Sequence, residues 1–349
     1  MDQVLSVSKS DQVLYYKEAA LRSKLIKSPN IMEKDYWVCW ALQQIFSIPE
    51  ISSHITFKGG TSLSKCYGMI ERFSEDCDLT INKEFLGITE AAETIASKGR
   101  NQRDKSLNIL ANAAKNKVNN FIKPLLENKF KLALTNYLES NEWKIESDPS
   151  DSDGQTLLFY YPSVLDVDQN RYIQTSVKLE FGARGDIMPN EARVISPYIH
   201  DALPETFNSK PTIKVNTLAA KRTFWEKATL LHGEHHRKAD KPFKERMFRH
   251  YYDMAMLDLH GVTKQALDDP QLLEAVLLNK KTYFASPAAN FETAAIGTMH
   301  LMPNEIFHAS LKEDCTKMSS MFFQGSPDFD DIMSRVAQIE KTINAQAAG

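Results

Sequence analysis

The chain has few cysteines, no excess of basic residues and no long hydrophobic run. Its four cysteines among 349 residues form no C-x-x-C pair, which argues against a disulfide framework and indicates reduced thiols. The net charge of −3 excludes a globally basic nucleic-acid-binding protein, so a nucleic acid would have to meet a local patch. No run of about 18 apolar residues is present, and no membrane span is expected. The N-terminus lacks the apolar segment of a signal peptide, so we expect a cytoplasmic globular protein.

A glycine turn followed by two aspartates lies in residues 57–81, FKGGTSLSKCYGMIERFSEDCDLTI. The pattern predicts the end of a strand, a turn at residues 59–62, a short helix and a strand that carries Asp76 and Asp78. Side chains alternate along a strand, so both aspartates are expected on one face, and the opposite, buried face is expected to hold Cys77, Leu79 and Ile81. Glycines permit close backbone approach, and the free N–H groups of such a turn can bind an anion.

The aspartate pair suggests a metal site. Two carboxylates about 6–7 Å apart on a strand repel each other by roughly 2–3 kcal/mol at an effective dielectric constant of about 20. A divalent cation between them would reverse that sign, and hard oxygen ligands suit Mg²⁺ or Mn²⁺, whose shell is completed by water and substrate phosphates. Two solvated acids on an exposed strand are the ordinary alternative for an isolated D-x-D. The glycine turn upstream favours the metal and phosphate interpretation.

A third carboxylate, Glu180, is predicted on another strand, residues 172–181, YIQTSVKLEF. Val177, Leu179 and Phe181 alternate with Ser176, Lys178 and Glu180, which places Glu180 on the polar face. If this strand neighbours the strand of Asp78, Glu180 completes an acidic triad. An exposed strand glutamate with no such role is the alternative.

Helices are predicted on both sides of these strands. Residues 11–28 and 30–47 read as helices, and the helix macrodipole is sufficient to explain the charged residues 33–35 in the first turn of the second. Residues 89–138 are helical and basic, which indicates either a solvated face or a surface that contacts RNA phosphates. Prolines place a domain boundary near residues 197–211.

Two helices in the C-terminal part carry further candidate residues. Residues 216–232 are predicted to form a helix with Thr223 and Lys227 one turn apart, and Gly233 is expected to end it. In the helix predicted over residues 244–259, Arg249 and Asp253 also lie one turn apart, and an intrahelical salt bridge is the simplest explanation.

A histidine-rich segment lies between these two helices. His232, His235 and His236 have no fourth ligand at the spacing of a zinc site. Residues 234–244 are therefore interpreted as a loop, basic and facing RNA or disordered.

The order of GGTS, D-x-D, VKLEF, T-x-x-x-K and RHYYD over about residues 31–285 resembles the AbiEii/AbiGii toxin family of nucleotidyltransferases. The resemblance implies an α+β fold with a polymerase-β-like core, that is, a mixed sheet with packed helices. We expect this core in residues 1–200, with a helical insertion at about residues 89–138. A mainly α-helical domain, residues 201–349, is expected to contribute Lys227 and Asp253 to the site.

The resemblance also implies an activity. An NMP would be transferred from an NTP to an acceptor, expected to be RNA and notably the tRNA 3′ end, by the toxin of a toxin–antitoxin or phage abortive-infection pair that has a cognate antitoxin. Asp76, Asp78 and Glu180 would hold Mg²⁺ or Mn²⁺, and with Lys227 and Asp253 they form the expected catalytic set. Lys227 would neutralise charge on the leaving pyrophosphate. Residues expected to contact the nucleotide are Lys58, Gly59, Gly60, Thr61, Ser62, Ser74, Thr223 and Arg249.

Two other functions are compatible with the same residues. The chain could be a regulatory module that binds nucleotide or RNA without turnover, in which case metal-dependent binding would occur without transfer. It could also be a phosphotransferase that acts on protein, for example through Ser74 beside the acids, in which case label would appear on protein rather than on RNA.

Overall fold

A computed structural model describes residues 1–165 and 174–346. Tyr172 and Ile173, the first residues of a predicted strand, lie outside the described residues. The strands are β1 Ile55–Lys58, β2 Cys77–Ile81, β3 Lys144–Ser147, β4 Thr156–Tyr160, β5 Ser176–Gly182, β6 Asn190–Ile195 and β7 Ile213–Leu218. The helices are α1 Asp2–Leu5, α2 Lys9–Arg22, α3 Pro29–Phe46, α4 Pro49–Ser52, α5 Gly59–Lys65, α6 Ala92–Ser97, α7 Arg100–Lys117, α8 Lys123–Leu134, α9 Tyr198–Ala202, α10 Ala220–His235, α11 Phe248–Leu259, α12 Val262–Leu267, α13 Pro270–Tyr283, α14 His308–Lys317 and α15 Phe329–Ala345.

The strands form one mixed, seven-stranded sheet in the order β3-β4-β5-β2-β1-β7-β6. Strand β2 lies antiparallel to β1 and parallel to β5, and β1 is parallel to β7. Strands β3, β4 and β5 run antiparallel to one another in turn. A mixed sheet with packed helices confirms the predicted α+β class, and the strand that carries Asp78 is the neighbour of the strand that carries Glu180.

The chain divides into two compact units. Unit 1 comprises residues 1–66, 73–89 and 108–217 and contains almost the whole sheet, while unit 2 comprises residues 67–72, 90–107 and 218–349 and is helical. The predicted domains, residues 1–200 and 201–349 with a boundary near residues 197–211, stay a prediction. No helix within the described ranges is long and apolar enough to cross a membrane.

The core of unit 1 lies between one face of the sheet and helices α3 and α8. Cys77, Leu79 and Ile81 of β2 are fully buried on this face, as the alternation predicted. Across from them, Trp40 of α3 lies 4.8 Å from Phe130 of α8, measured between ring centroids, and 5.5 Å from Phe159 of β4. Aromatic pairs at these distances add about 0.5–1.5 kcal/mol each beyond the area that they bury. This packing leaves the opposite face of the sheet to polar residues.

Helices α10, α11, α12 and α13 form the centre of unit 2, and α15 packs on α11. The rings of Phe248 in α11 and Phe329 in α15 stack with centroids 5.6 Å apart. Residues 67–72 belong to this unit. They are fixed to it by the hydroxyl of Tyr67, which donates to the carbonyl of Leu218, and by a bridge between Arg72 and Phe322.

The structure corrects the bounds of four predicted helices. Residues 216–218 belong to β7 and not to the following helix, which begins at Ala220 and continues through Gly233 to His235. The next helix begins at Phe248 rather than at residue 244. The first two predicted helices are Lys9–Arg22 and Pro29–Phe46. Distant partners define β7, which pairs with β1, and the start of α11, where the Phe248 amide donates to Asp314, whereas α2 and α3 begin at the local caps Ser8 and Ser28.

Candidate active site

A row of polar side chains crosses the middle of the sheet in unit 1. Lys58 of β1 lies opposite Asp78 of β2, Asp78 lies opposite Glu180 of β5, and Glu180 lies opposite Thr156 of β4. Directly opposite residues on adjacent strands place their side chains on one face. We call these four residues the charged row. It lies on the face away from Trp40, because Leu79 and Phe181, the next residues along β2 and β5, are fully buried in the core.

The predicted turn at residues 59–62 is the first turn of helix α5, which begins at Gly59, and it lies against Asp78. Gly59, the first residue of α5, has φ = 78°, a left-handed conformation that residues with a side chain rarely adopt. A Cβ atom at Gly59 would lie 1.9 Å from Oδ2 of Asp78. Both the backbone conformation and the close approach of the carboxylate therefore require glycine at this position.

The hydroxyl groups of Thr61 and Ser62 form hydrogen bonds within the protein. The Thr61 hydroxyl is buried, donates to the carbonyl oxygen of Asp76 at 2.7 Å and lies 2.9 Å from the Ser74 hydroxyl. The Ser62 hydroxyl donates to the carbonyl oxygen of Gly59 at 2.9 Å. Thr61 thus joins the start of α5 to the segment that leads into β2, and this contact positions Asp76.

Asp76 lies one residue before β2 and is partly buried. Burial, followed by the negative charges of Glu75 and Glu180, raises the pKa of Asp76. The side chain of Glu180 is itself paired with Lys178 on the same strand face, at 2.5 Å between Nζ and Oε1. The ionised form of Asp76 is therefore disfavoured by its surroundings, and a bound cation would offset that cost.

The chemistry of these donors fits a hard divalent ion, since Asp76, Asp78 and Glu180 offer carboxylate oxygens. Among the described residues, no group of three or more histidine, cysteine, aspartate or glutamate side chains is gathered closely enough to hold a metal. Mg²⁺ is commonly bound by one or two protein carboxylates together with substrate phosphates. The residues fit that arrangement rather than an all-protein cage.

Residues 33–35 at the start of α3 are not a solvated first turn, which corrects the macrodipole explanation. Glu33, Lys34 and Asp35 are 2%, 1% and 6% exposed. Lys34 donates to the carbonyl oxygens of Ser176 and Gln174 and lies 3.1 Å from Glu75.

The carboxylates on either side of Lys34, those of Glu33 and Asp35, are also bound by other residues. Glu33 accepts hydrogen bonds from the Ser163 hydroxyl and the Val164 amide. Asp35 pairs with Lys65 at 2.6 Å and accepts from the Tyr198 amide. The three residues therefore fix, within unit 1, the segments before β2, at the start of β5 and at the end of α5.

A second ionic cluster lies in unit 2 and consists of Arg72, Lys227 and Asp253, the Asp253 cluster. Asp253 is fully buried. Its two oxygens receive Nε and Nη2 of Arg72, each at 2.7 Å, and Oδ2 lies 2.7 Å from Nζ of Lys227. Burial alone would raise the pKa of Asp253, but the two cations lower it well below its usual range. Burial lowers the pKa of Lys227, and Asp253 opposes that shift.

Arg249 does not pair with Asp253, so the predicted intrahelical salt bridge is wrong. Within the described residues, the ion pairs of Asp253 are those with Arg72 and Lys227. Three buried polar atoms in this part of unit 2 have no hydrogen-bond partner in the described structure, namely Oγ1 of Thr223, Nε of Arg249 and Nδ1 of His250. Arg72 was absent from the sequence-based candidates because its partner is 181 residues away.

The histidines form no metal site in the described part of the chain. His232 bonds through Nε2 to the carbonyl oxygen of Asn290 and the hydroxyl of Thr293, each at 3.2 Å. Burial lowers the pKa of His232 to about 4. His232 is therefore a neutral structural contact within unit 2.

The family comparison agrees with the resemblance that the motifs indicated. The family model described as the nucleotidyl transferase AbiEii toxin of type IV toxin–antitoxin systems matches residues 40–335. Among solved structures, the chain is similar to MenT4, a nucleotidyltransferase toxin from Mycobacterium tuberculosis H37Rv, at 16% identity and a TM-score of 0.42, over 97% of this chain and 99% of that one. No curated protein matches. The family match covers most of the sequence, and the chain belongs to the AbiEii family of nucleotidyltransferase toxins of type IV toxin–antitoxin systems.

Proposed function

We propose that this toxin transfers an NMP from an NTP to a hydroxyl group of RNA, in a reaction that needs a divalent cation. The charged row is the observation that carries the proposal. It places Asp78 and Glu180 side by side on adjacent strands, with the Gly59 backbone directly against the Asp78 carboxylate. A backbone turn that binds phosphate next to hard oxygen ligands is the combination that nucleotidyl transfer requires.

The chemistry is an in-line displacement at the α-phosphorus of the NTP. The RNA hydroxyl oxygen forms a bond to that phosphorus, the bond to the bridging oxygen of the β-phosphate breaks, and pyrophosphate leaves. Glu180 supports the attacking hydroxyl and accepts its proton. The turn at residues 59–62 binds the β,γ-phosphates through its backbone N–H groups, so the reaction depends mainly on alignment and electrostatics.

Asp76 and Asp78 would hold Mg²⁺ or Mn²⁺ together with the phosphates of the NTP, while Glu180 acts on the attacking hydroxyl. When bound, the ion supplies positive charge to the phosphoryl oxygens. Burial, and after it the charges of Glu75 and Glu180, raises the pKa of Asp76, and a bound cation would favour its ionised form.

Lys227 is the proposed cation for the leaving pyrophosphate. A buried lysine loses its proton more easily than a solvated one, and the Asp253 carboxylate, 2.7 Å from Nζ, supports the charged form. Asp253 is thus a positioning residue, and Arg72 holds Asp253 in turn. Thr223 and Arg249 stay candidates for contact with the nucleotide.

The experiment is label transfer with each α-³²P-labelled NTP, Mg²⁺ and total RNA. We expect labelled RNA with the wild-type protein and a loss of at least about 100-fold with Asp78→Asn, because electrostatic groups at reacting phosphates have effects of that order. Glu146→Gln is the matched control, since Glu146 is a half-exposed strand carboxylate on β3 that pairs with Lys144. We expect it to label RNA normally. Size fractionation of the labelled RNA tests the tRNA 3′ end as the acceptor.

Three results would contradict the proposal. Equal labelling of RNA by wild-type and Asp78→Asn proteins would remove the charged row from the reaction. Transfer of γ-³²P to protein, with none from α-labelled NTP to RNA, would identify a phosphotransferase. Binding of NTP that depends on Mg²⁺ without any transfer would identify a regulatory module.

A further inference from the structure

A cavity of about 490 Å³ lies within unit 2, among α10, the loop that follows it, the C-terminal end of α13 and the turn after α13. Its volume falls inside the range of about 300–1,000 Å³ that is typical of ligand sites. The cavity contains none of the residues proposed above for transfer.

The lining is strongly basic. Five cationic side chains contribute to it: Arg237, Lys238, Lys241, Lys244 and Lys280. Glu234 is an acidic residue of the lining, and its carboxylate is already bound by Arg237, at 2.5 and 2.8 Å, and by Lys244 at 2.8 Å. Lys238 and Lys241 are exposed and form no ion pair with any residue that the structure describes. Positive charge therefore remains for a ligand that carries phosphates or other anionic groups.

The same cavity presents aromatic surface. Phe284 is 40% exposed, Phe291 is half-buried, and both rings line the cavity. The ammonium group of Lys280 lies 5.0 Å from the centroid of the Phe284 ring. An exposed phenylalanine surrounded by lysines is poorly suited to a simple anion, because the ring would stay in water. It suits a ligand that joins a flat π-system to negative charge.

The floor of the cavity is fixed to α10. A Cβ atom at Gly233 would lie 3.2 Å from Cβ of Ala289, so the glycine inside the helix allows the turn after α13 to pack closely. His232 holds the same turn through the Asn290 carbonyl oxygen, at 3.2 Å. This side of the cavity is therefore already ordered before a ligand binds, which lowers the entropic cost of binding.

We propose that this cavity binds a nucleotide of single-stranded RNA, with its base stacked on Phe284 and the adjacent phosphates between Lys238 and Lys241. Unpaired bases stack on aromatic side chains, whereas the bases of a duplex are not accessible to such a ring. The inference rests on the proposed function for its choice of RNA, and it adds an acceptor-binding site made by residues 237–244 and 280–291.

Binding is measured by fluorescence anisotropy with a labelled single-stranded RNA of mixed sequence, about a dozen nucleotides long, and full-length protein that carries Asp78→Asn so that no transfer takes place. We expect Phe284→Ala to weaken binding roughly five- to 150-fold, the usual range for loss of one base stack. Lys238→Ala/Lys241→Ala should weaken binding and reduce the salt slope, d log K/d log[salt], by about 1.4, since single strands contribute roughly 0.7 per phosphate contact.

The controls match the variants in charge and exposure. Lys264→Ala/Lys317→Ala removes two exposed lysines from other helices of unit 2, and Leu259→Ala removes an exposed apolar side chain from α11. Neither should change the Kd for RNA by more than about twofold. Thermal melting of every variant verifies that unit 2 is still folded.

The outcomes separate this inference from the proposed function. If the wild-type protein labels RNA but the cavity variants bind it as tightly as the controls do, the cavity assignment is wrong and the transferase proposal stands. If no NMP is transferred but Phe284→Ala weakens binding as expected, the transferase proposal fails and the RNA site stands. Equal binding of duplex RNA, with the same loss in Phe284→Ala, would also overturn the stacking assignment.

Discussion

Asp76 in unit 1 and Asp253 in unit 2 are both carboxylates that the fold removes from water, but their pKa values shift in opposite directions. Burial and the charges of Glu75 and Glu180 raise the pKa of Asp76. Asp253 is buried more deeply, yet Arg72 and Lys227 lower its pKa. Burial raises the pKa of both groups, so it is the two cations beside Asp253 that reverse the direction of its shift.

This difference indicates what each region is built for. In the Asp253 cluster the negative charge is balanced by two side chains of the protein, Arg72 and Lys227. The carboxylate can therefore hold these two cations in place without any ligand. The ionised form of Asp76 is disfavoured by burial and by the charges of Glu75 and Glu180, and a bound cation would offset that cost. Natural proteins tolerate such local cost mainly where it serves function.

The largest expected effect on stability comes from removing the carboxylate of Asp253. Asp253→Ala leaves Arg72 and Lys227 buried and without their shared partner, so we expect the free energy of unfolding to fall by about 3–5 kcal/mol. Urea denaturation at pH 7 measures this loss. Asp268→Ala is the control, because Asp268 forms an exposed pair with Lys264 on the surface of unit 2 and should change stability by less than about 1 kcal/mol.

The stability that Asp253 contributes should depend on pH in a direction that its pKa shift determines. Because the folded-state pKa of Asp253 is lowered, its stabilising effect is present above the unfolded-state pKa of about 3.9 and is lost as the pH falls below it. The difference between the wild-type and Asp253→Ala proteins should thus shrink below about pH 4. A loss under about 1 kcal/mol at pH 7 would show that the two cations do not depend on Asp253.

A medium effect is expected at the glycine that contacts the charged row. In Gly59→Ala the new Cβ would meet Oδ2 of Asp78, and its positive φ alone costs about 1–2 kcal/mol. Gly87→Ala isolates the second effect, since Gly87 has φ = 76° with nothing within 4 Å of the added Cβ. We expect both variants to lose stability, with the greater loss in Gly59→Ala, and RNA labelling to fall at least tenfold only in Gly59→Ala. Equal labelling by the two variants would argue against a role for this turn.

The smallest expected effect is a gain of stability at Asp76. A raised folded-state pKa means that the contribution of Asp76 is favourable below its unfolded-state pKa and is lost as the pH rises through the folded-state value. Asp76→Asn, which has no charge to desolvate, should be more stable than the wild-type protein by about 0.5–2 kcal/mol at pH 7 and lose that advantage toward pH 3. It should also lose RNA labelling. Urea denaturation at both pH values tests this, and a less stable Asp76→Asn protein at pH 7 would contradict the comparison.

Local sequence patterns were enough to predict the faces of the strands that carry Asp78 and Glu180, while the pairing of those strands was only a condition of the predicted triad. Alternation in the segments of Asp78 and Glu180 identified the buried and polar faces, and the two strands are neighbours. Strand β7 was missed because its last residues were assigned to the helix that carries Lys227. A short strand beside β1 is decided by hydrogen bonds to residues about 160 positions earlier, which no local pattern contains.

The charged residues of α3 also show that a local sequence pattern does not reveal partners that are distant in sequence. From the sequence, Glu33, Lys34 and Asp35 look like the polar start of an amphipathic helix, and the helix dipole accounts for them. Their partners, such as the carbonyl oxygen of Ser176 and the amide of Tyr198, are 142 and 163 residues away. Arg72 was overlooked for a similar reason. Buried ion pairs between distant segments leave no periodic signal in a single sequence.

The position of β7 inside the sheet, between β1 and β6, bears on how the toxin is made. On the ribosome, β1 emerges early but keeps an open edge until residues 213–217 have left the exit tunnel. Exposed strand edges invite pairing with other chains, so the nascent polypeptide passes through an interval in which it is prone to aggregate. A proteolytic fragment that ends before Ile213 would keep that edge open, so we expect it to aggregate although it retains Asp76, Asp78 and Glu180.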